Sequence, residues 1–133
     1  MTARLYHVQV NVADAGTALP FYRELFTYLG NRIVSESPTH LGVSDGQAAV
    51  WVIATEPARV GRGFHRKNTG LNHLAFRVDS RDAVDSFHRE FLQARGLAPL
   101  YDSPRDWPEY RPGYYAVFFE GPDRLKLEVV HVP

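Results

Sequence analysis

The ten residues "FYRELFTYLG" at 21–30 recur in outline as "FHREFLQARG" at 87–96. Phe21 and Phe87, Arg23 and Arg89, Glu24 and Glu90, and Gly30 and Gly96 are all 66 positions apart. The same offset holds upstream, where "HVQVNVAD" from His7 faces "HLAFRVDS" from His73, with Val12 meeting Val78. A strand and a helix are thus written twice, in order and with nothing inserted. A repeat this long, present in two copies, predicts a duplicated module and not a solenoid.

Around each copy the pattern extends to a βαβββ unit. In the first, 5–12 alternates as a strand and 18–29 reads as a helix, with Thr17 as N-cap, Pro20 in the first turn and Gly30 as the stop. Phe21, Leu25 and Leu29, flanked by Tyr22 and Phe26, form its expected apolar stripe. Strands follow at about 32–36, 40–43 and 48–54, separated by the turn signals "SP" and "SDG". The second unit runs from a strand at 71–78 through a helix at 81–95, capped by Ser80 or Asp79, to Gly96. A weak strand near 98–101 and a long loop lead to "YYAVFFE" and "LKLEVVH", joined by "GPDR". The expected organisation is a single domain over 1–133, with modules at 5–54 and 71–132 and a connection at 55–70. That connection, rich in Gly and basic residues, reads as a solvated linker or as an arm reaching an anionic ligand. The fold class is α+β: two tandem βαβββ modules forming a curved, incomplete barrel around a concave pocket.

Composition narrows the partners. The formal charge is balanced and Lys67 and Lys126 are the only lysines, so no basic stripe suited to nucleic acid exists. With no cysteine, disulfides and thiolate catalysis are excluded, and a cytoplasmic location is expected. The longest apolar run, "AAVWVIA" at 48–54, is too short to cross a bilayer as a helix. A small-molecule ligand, with no membrane or nucleic-acid partner, is the expectation.

Strand parity selects the candidate chemistry. His7, Gln9 and Asn11 share the face opposite Val8, Val10 and Val12, and the valines belong under the helix. The same rule sends Leu74, Phe76 and Val78 to the second helix and His73 to the pocket. In the last strand Leu125, Leu127 and Val129 turn to the core, leaving Glu128 on the other face together with Lys126, which is expected to snorkel outward. A carboxylate on a cavity floor beside two imidazoles is costly unless compensated, and a divalent metal would compensate it.

With these residues in view, the chain resembles the vicinal oxygen chelate superfamily, the glyoxalase/bleomycin-resistance/dioxygenase group. The resemblance spans nearly the whole chain and rests on "HVQVNVAD…FYRELF", "GLNHLAFRV" and "YYAVFFEGPDRLKLEVVH". It implies metal ligands at His7, His73 and Glu128, a divalent ion such as Fe, Mn, Ni or Zn, and a homodimer. Glyoxalase I proteins take a fourth ligand from the last strand of the first unit, where this chain has no suitable donor near Trp51. Three ligands are more similar to the fosfomycin-modifying transferases and extradiol dioxygenases. "GPDR" replaces the family's DPDG-like turn, a local change. The competing expectation is a metal-free binder that sequesters an antibiotic, as the bleomycin-resistance proteins do.

Candidate substrate contacts are Gln9, Trp51, His65 in the connection, and Trp107, Tyr110 and Tyr114 in the aromatic stretch "YDSPRDWPEYRPGYY" at 101–115, read as a lid, a sheet-edge cover or a dimer contact. His40, His88 and His131 lack the support that repetition and parity give His73. No general base can be named.

Overall fold

A computed structural model describes residues 1–133, and their contacts divide into two units, Met1–Gly63 and Phe64–Pro133. The first comprises β1 (His7–Val12), α1 (Ala15–Tyr28), β2 (Arg32–Ser37), β3 (His40–Ser44) and β4 (Ala49–Ala54). The second comprises β5 (His73–Arg77), α2 (Arg81–Phe87), β6 (Leu100–Asp106), β7 (Tyr115–Glu120) and β8 (Lys126–His131). The sheets have orders β1-β4-β3-β2 and β5-β8-β7-β6, so the duplication read from the 66-residue offset is a duplication of topology. In each sheet the first strand lies parallel to the last of its unit, and the remaining pairs are antiparallel. The two βαβββ units therefore form two mixed four-stranded sheets and no closed barrel.

Helix α1 begins earlier than its apolar pattern suggests. Asp14, not Thr17, is the N-cap, accepting from the Thr17 amide at 3.4 Å and from the Thr17 hydroxyl at 2.9 Å. A carboxylate supplies two acceptors to the exposed amide end, which a threonine cannot match. Pro20 consequently lies beyond the first turn, where it forgoes the bond to the Gly16 carbonyl. The buried face is Ala18, Leu19, Tyr22, Leu25 and Phe26; Phe21 and Leu29 lie at its margin. Gly30 and Gly96 both end their helical segments with positive φ, 82° and 66°, a conformation that glycine adopts without a Cβ clash.

Ser80 caps α2, accepting from the Ala83 amide at 3.1 Å. The expected helix to residue 95 is present as a path of three parts: α2, a π turn at His88–Leu92 and a 3-10 turn at Gln93–Arg95. The wider π turn rotates successive side chains through a smaller angle, and the consecutive Phe91 and Leu92 are both fully buried there. Phe87 stacks on Phe91 at 5.1 Å and meets Phe119 of β7 at 5.3 Å, each ring contributing about 1.5–3 kcal/mol on burial.

The second sheet is covered on both faces. Val117, Phe119, Leu127 and Val129 form a buried row alternating with Ala116, Phe118, Glu128 and Val130, which pair in the same ladder. Trp107, Ala116, Phe118 and Val130 make a separate small core, with Leu100, Tyr114 and Val132 packed on it. The long loop expected after 101 is shorter than its composition suggested, because β6 continues to Asp106. No helix is long and apolar enough to cross a membrane.

Candidate functional site

Glu128 is only 1% exposed, on the face of β8 away from α2, and β5 is its parallel neighbour, with Ala75 its register partner and His73 that of Lys126. A carboxylate removed from water is costly unless donors or cations surround it. Two groups meet it here. The Tyr114 hydroxyl donates a short hydrogen bond to Oε1, and His73 Nε2 lies 3.2 Å from Oε2. Burial, followed by the hydrogen bond and charge of Glu128, holds the Tyr114 phenol well above its ordinary value, so it is a proton donor throughout the neutral range.

Asn72 orients the imidazole. Its Oδ1 is 2.7 Å from His73 Nδ1, while its Nδ2 donates to the Arg66 carbonyl at 3.3 Å. With the amide so turned, Nδ1 carries a hydrogen and Nε2 is the ring atom that faces the carboxylate. Nε2 and Oε2, 3.2 Å apart, can be joined by a proton or by a metal ion. Ligand bonds of about 2.1 Å at a right angle place a nitrogen and an oxygen donor about 3 Å apart. The His73 and Glu128 donors are of the type and spacing that a first-row divalent ion takes, and equally those of an imidazolium–carboxylate ion pair.

The other candidates are distributed between the units. His7 is exposed on β1 and shares a face with Gln9 and Trp51, register partners across β1 and β4. His7, Gln9 and Trp51 line an open hollow of about 620 Å³ with Tyr6, Val34 and Gln47. Trp51 lies flat on Gly42, where a Cβ would come within 2.5 Å of the indole. No group of three or more His, Cys, Asp or Glu side chains is gathered as a ligand set in the single chain; His73 and Glu128 stand as a pair. His65 is exposed and its Nδ1 accepts from the Lys67 amide at 3.1 Å. Trp107 is a core residue, 5% exposed, whose indole donates to the Ala116 carbonyl. Tyr110 is exposed and stacks on Trp107 at 5.6 Å, and Tyr114 alone of the three reaches Glu128. His40 is satisfied by Ser35 and Ser37, and His131 by the Val78 carbonyl.

Three residues escaped the sequence reading. Asn72 is adjacent to His73, but nothing in its type marks it as an orienting group. Lys126 does not snorkel away: its ammonium lies 4.8 Å from the ring centroids of both Tyr101 and Phe118. Its shared parity with Glu128 was the available signal. Tyr101 is the third. Burial raises its phenol, but hydrogen bonding and charge from Lys126 and Arg66 outweigh this and hold it below the ordinary value.

Paired βαβββ units, with an imidazole opening the fifth strand and a buried carboxylate on the eighth, define an α+β protein with a candidate ligand pair on one sheet face. Residues 4–129 match the Glyoxalase/Bleomycin resistance protein/Dioxygenase superfamily, and the chain belongs to it. It is 30% identical to the uncharacterized protein YqjT of Bacillus subtilis (strain 168), over 95% of this chain and 97% of that protein. It is 34% identical to a candidate glyoxalase of Bacillus halodurans known from a crystal structure, with a TM-score of 0.86 over 96% of this chain and 95% of that one. The lactoylglutathione lyase of Agrobacterium tumefaciens shares the fold, at 18% identity and a TM-score of 0.67, covering 98% of this chain and 94% of that one.

Proposed function

We propose that the protein is a divalent-metal-dependent enzyme of the glyoxalase, fosfomycin-resistance or extradiol-dioxygenase type, acting on a small oxygen-bearing substrate. The observation that carries this reading is the approach of His73 Nε2 to the buried Glu128 carboxylate at 3.2 Å, a nitrogen and an oxygen donor at the spacing of two ligands on one ion. His7, at the position 66 residues before His73, is the third ligand in this reading, supplied by the same chain or by the partner in a homodimer. Bound there, an Fe, Mn, Ni or Zn ion would act as a Lewis acid toward substrate oxygens. The chain's own contributions are distinct: Asn72 fixes the imidazole, Tyr114 keeps a proton beside Glu128, and the covered sheet face excludes water.

The competing reading is a metal-free binder of an antibiotic or another aromatic ligand, favoured by the exposed Tyr110 ring stacked on Trp107. Metal analysis of the purified protein separates the two. Stoichiometric metal that is lost in His73→Ala and in Glu128→Gln supports the enzyme. A protein that retains no metal from metal-supplemented medium, yet is thermally stabilised by bleomycin, supports the binder. Mixing His7→Ala with His73→Ala chains tests the shared site: metal uptake recovered in the mixture requires ligands from two subunits.

A further inference from the structure

On the helix side of their sheets the two copies differ in what fills the crevice between helix and hairpin. In the second unit the crevice is bridged. Arg81, at the start of α2, bonds Asp106 at 2.5 and 3.0 Å and lies 3.9 Å over the Tyr115 ring, whose hydroxyl donates to Asp85 at 2.7 Å. Asp106 and Tyr115 are register partners at the end of the β6–β7 ladder.

The first unit has no such bridge. Its ladder runs through Asn11, Ile53, His40 and Ser37 where the second runs through Arg77, Val130, Ala116 and Arg105. Pro38 and Thr39 therefore stand in the places of Asp106 and Tyr115, and the 66-residue offset puts Ala15 and Leu19 in those of Arg81 and Asp85. These four side chains supply neither an ion pair nor a ring. What remains is an open groove of about 360 Å³, walled by Ala15, Leu19 and Pro20 of α1 and by Pro38 and Leu41 of the hairpin. Small-molecule sites begin at about this volume and are apolar with a few placed polar groups.

The polar groups are one charge of each sign. Arg23 Nε donates to Glu36 Oε2 at 3.1 Å, and both side chains are half exposed, so the pair holds weakly. That single bond leaves the two terminal guanidinium nitrogens and Glu36 Oε1 for a ligand. Pro20 has no N–H for the Gly16 carbonyl, and both residues border the groove. His40, also on its border, is taken up by Ser35 and Ser37.

We infer that this groove is a binding site for a free amino acid with a flat apolar side chain. The side chain lies where the second unit holds the Tyr115 ring, the carboxylate meets Arg23 and the ammonium meets Glu36. A guanidinium fork takes a carboxylate by two parallel bonds, and the acid beside it takes the ammonium. A simple anion would face Glu36 unpaired, and a simple cation would face Arg23. The site is built within the first unit and is independent of the metal reading.

Titration calorimetry with L-phenylalanine, on the protein as purified, tests the site. Phenethylamine, 3-phenylpropionate and L-alanine lack the carboxylate, the ammonium and the ring in turn. L-phenylalanine is expected to bind saturably, and each of the others at least about tenfold more weakly, the loss of one charge-assisted contact or of the buried ring. Arg23→Met is expected to weaken L-phenylalanine about tenfold, and Ala15→Trp, which fills the groove, to abolish its binding, with folding of both variants checked by urea unfolding. No binding of L-phenylalanine, equal binding of phenethylamine or 3-phenylpropionate, or unchanged affinity in folded Arg23→Met or Ala15→Trp overturns the inference. Should Ala15→Trp not fold, the half-exposed Arg23 still decides the matter.

Discussion

Trp51 and Glu128 hold equivalent places in the two sheets: Trp51 is the ladder partner of Gln9, two residues after His7, and Glu128 is that of Ala75, two residues after His73. Their other neighbours are exchanged in size. Gly42 faces Trp51 and Phe118 faces Glu128, so each ladder pair contributes one aromatic ring to its sheet face. In the first unit the ring comes from the strand next to β1, leaving no room for a carboxylate there. In the second it comes from β7, and the strand next to β5 is free to carry the acid.

Gly42→Ala tests the first of these pairs. A Cβ at 42 would meet the indole at 2.5 Å, so Trp51 must leave its seat. The expected outcome is a loss of about 1–3 kcal/mol in urea unfolding, with a shift in tryptophan emission. An unchanged spectrum would mean that the indole does not rest on Gly42.

Tyr114→Phe tests the buried carboxylate. Removing the hydroxyl leaves Glu128 Oε1 without its donor, at an expected cost of about 1–3 kcal/mol, read by chemical denaturation of the metal-free protein. Pairing the change with Glu128→Gln should make the two losses less than additive, because both delete one interaction.

On the metal-binding reading proposed above, Asn72→Ala should act on metal affinity and barely on the fold. Asn72 is exposed, so stability is expected to move by no more than about 0.5 kcal/mol. Loss of the bond to His73 Nδ1 is expected to weaken metal affinity about 10–100-fold in chelator competition. Equal affinity would show that the ring holds its tautomer without the amide.

The alkaline limb of stability has an assigned source in Tyr115. Burial and its hydrogen bond to Asp85, 2.7 Å long, push the phenol from 10.0 up to about 12. The folded state thus keeps this proton after the unfolded chain has lost it. The contribution is full below about pH 10 and disappears as pH rises through about 12. Urea midpoints between those values should fall with pH, and Tyr115→Phe should fall less steeply.

The duplicated topology was legible because both copies use local signals, strand alternation and a glycine stop, at one offset. Parity likewise placed His73 and Glu128 on a common face of adjacent strands. What could not be read was set by partners distant in sequence. The cap at Asp14 depends on a carboxylate turning back to Thr17, ahead of any apolar period. Strand β6 is hidden in Pro and aromatic residues that also suit a loop, and its place depends on pairing with β7. A long side chain at a strand start usually finds water, and the Tyr101 and Phe118 rings that hold Lys126 lie 25 and 8 positions away in the chain. The orienting amide of Asn72 is recognisable only once its two bonds are seen together.

Because the ladders of the two halves agree position for position, each can serve as a template for the other. Exchanging Gly42 and Trp51 for the pair found at Phe118 and Glu128 would transplant an acid next to the strand of His7 without altering strand register. The doubling thus leaves in the first sheet a floor of the same register, on which laboratory evolution can place an acid.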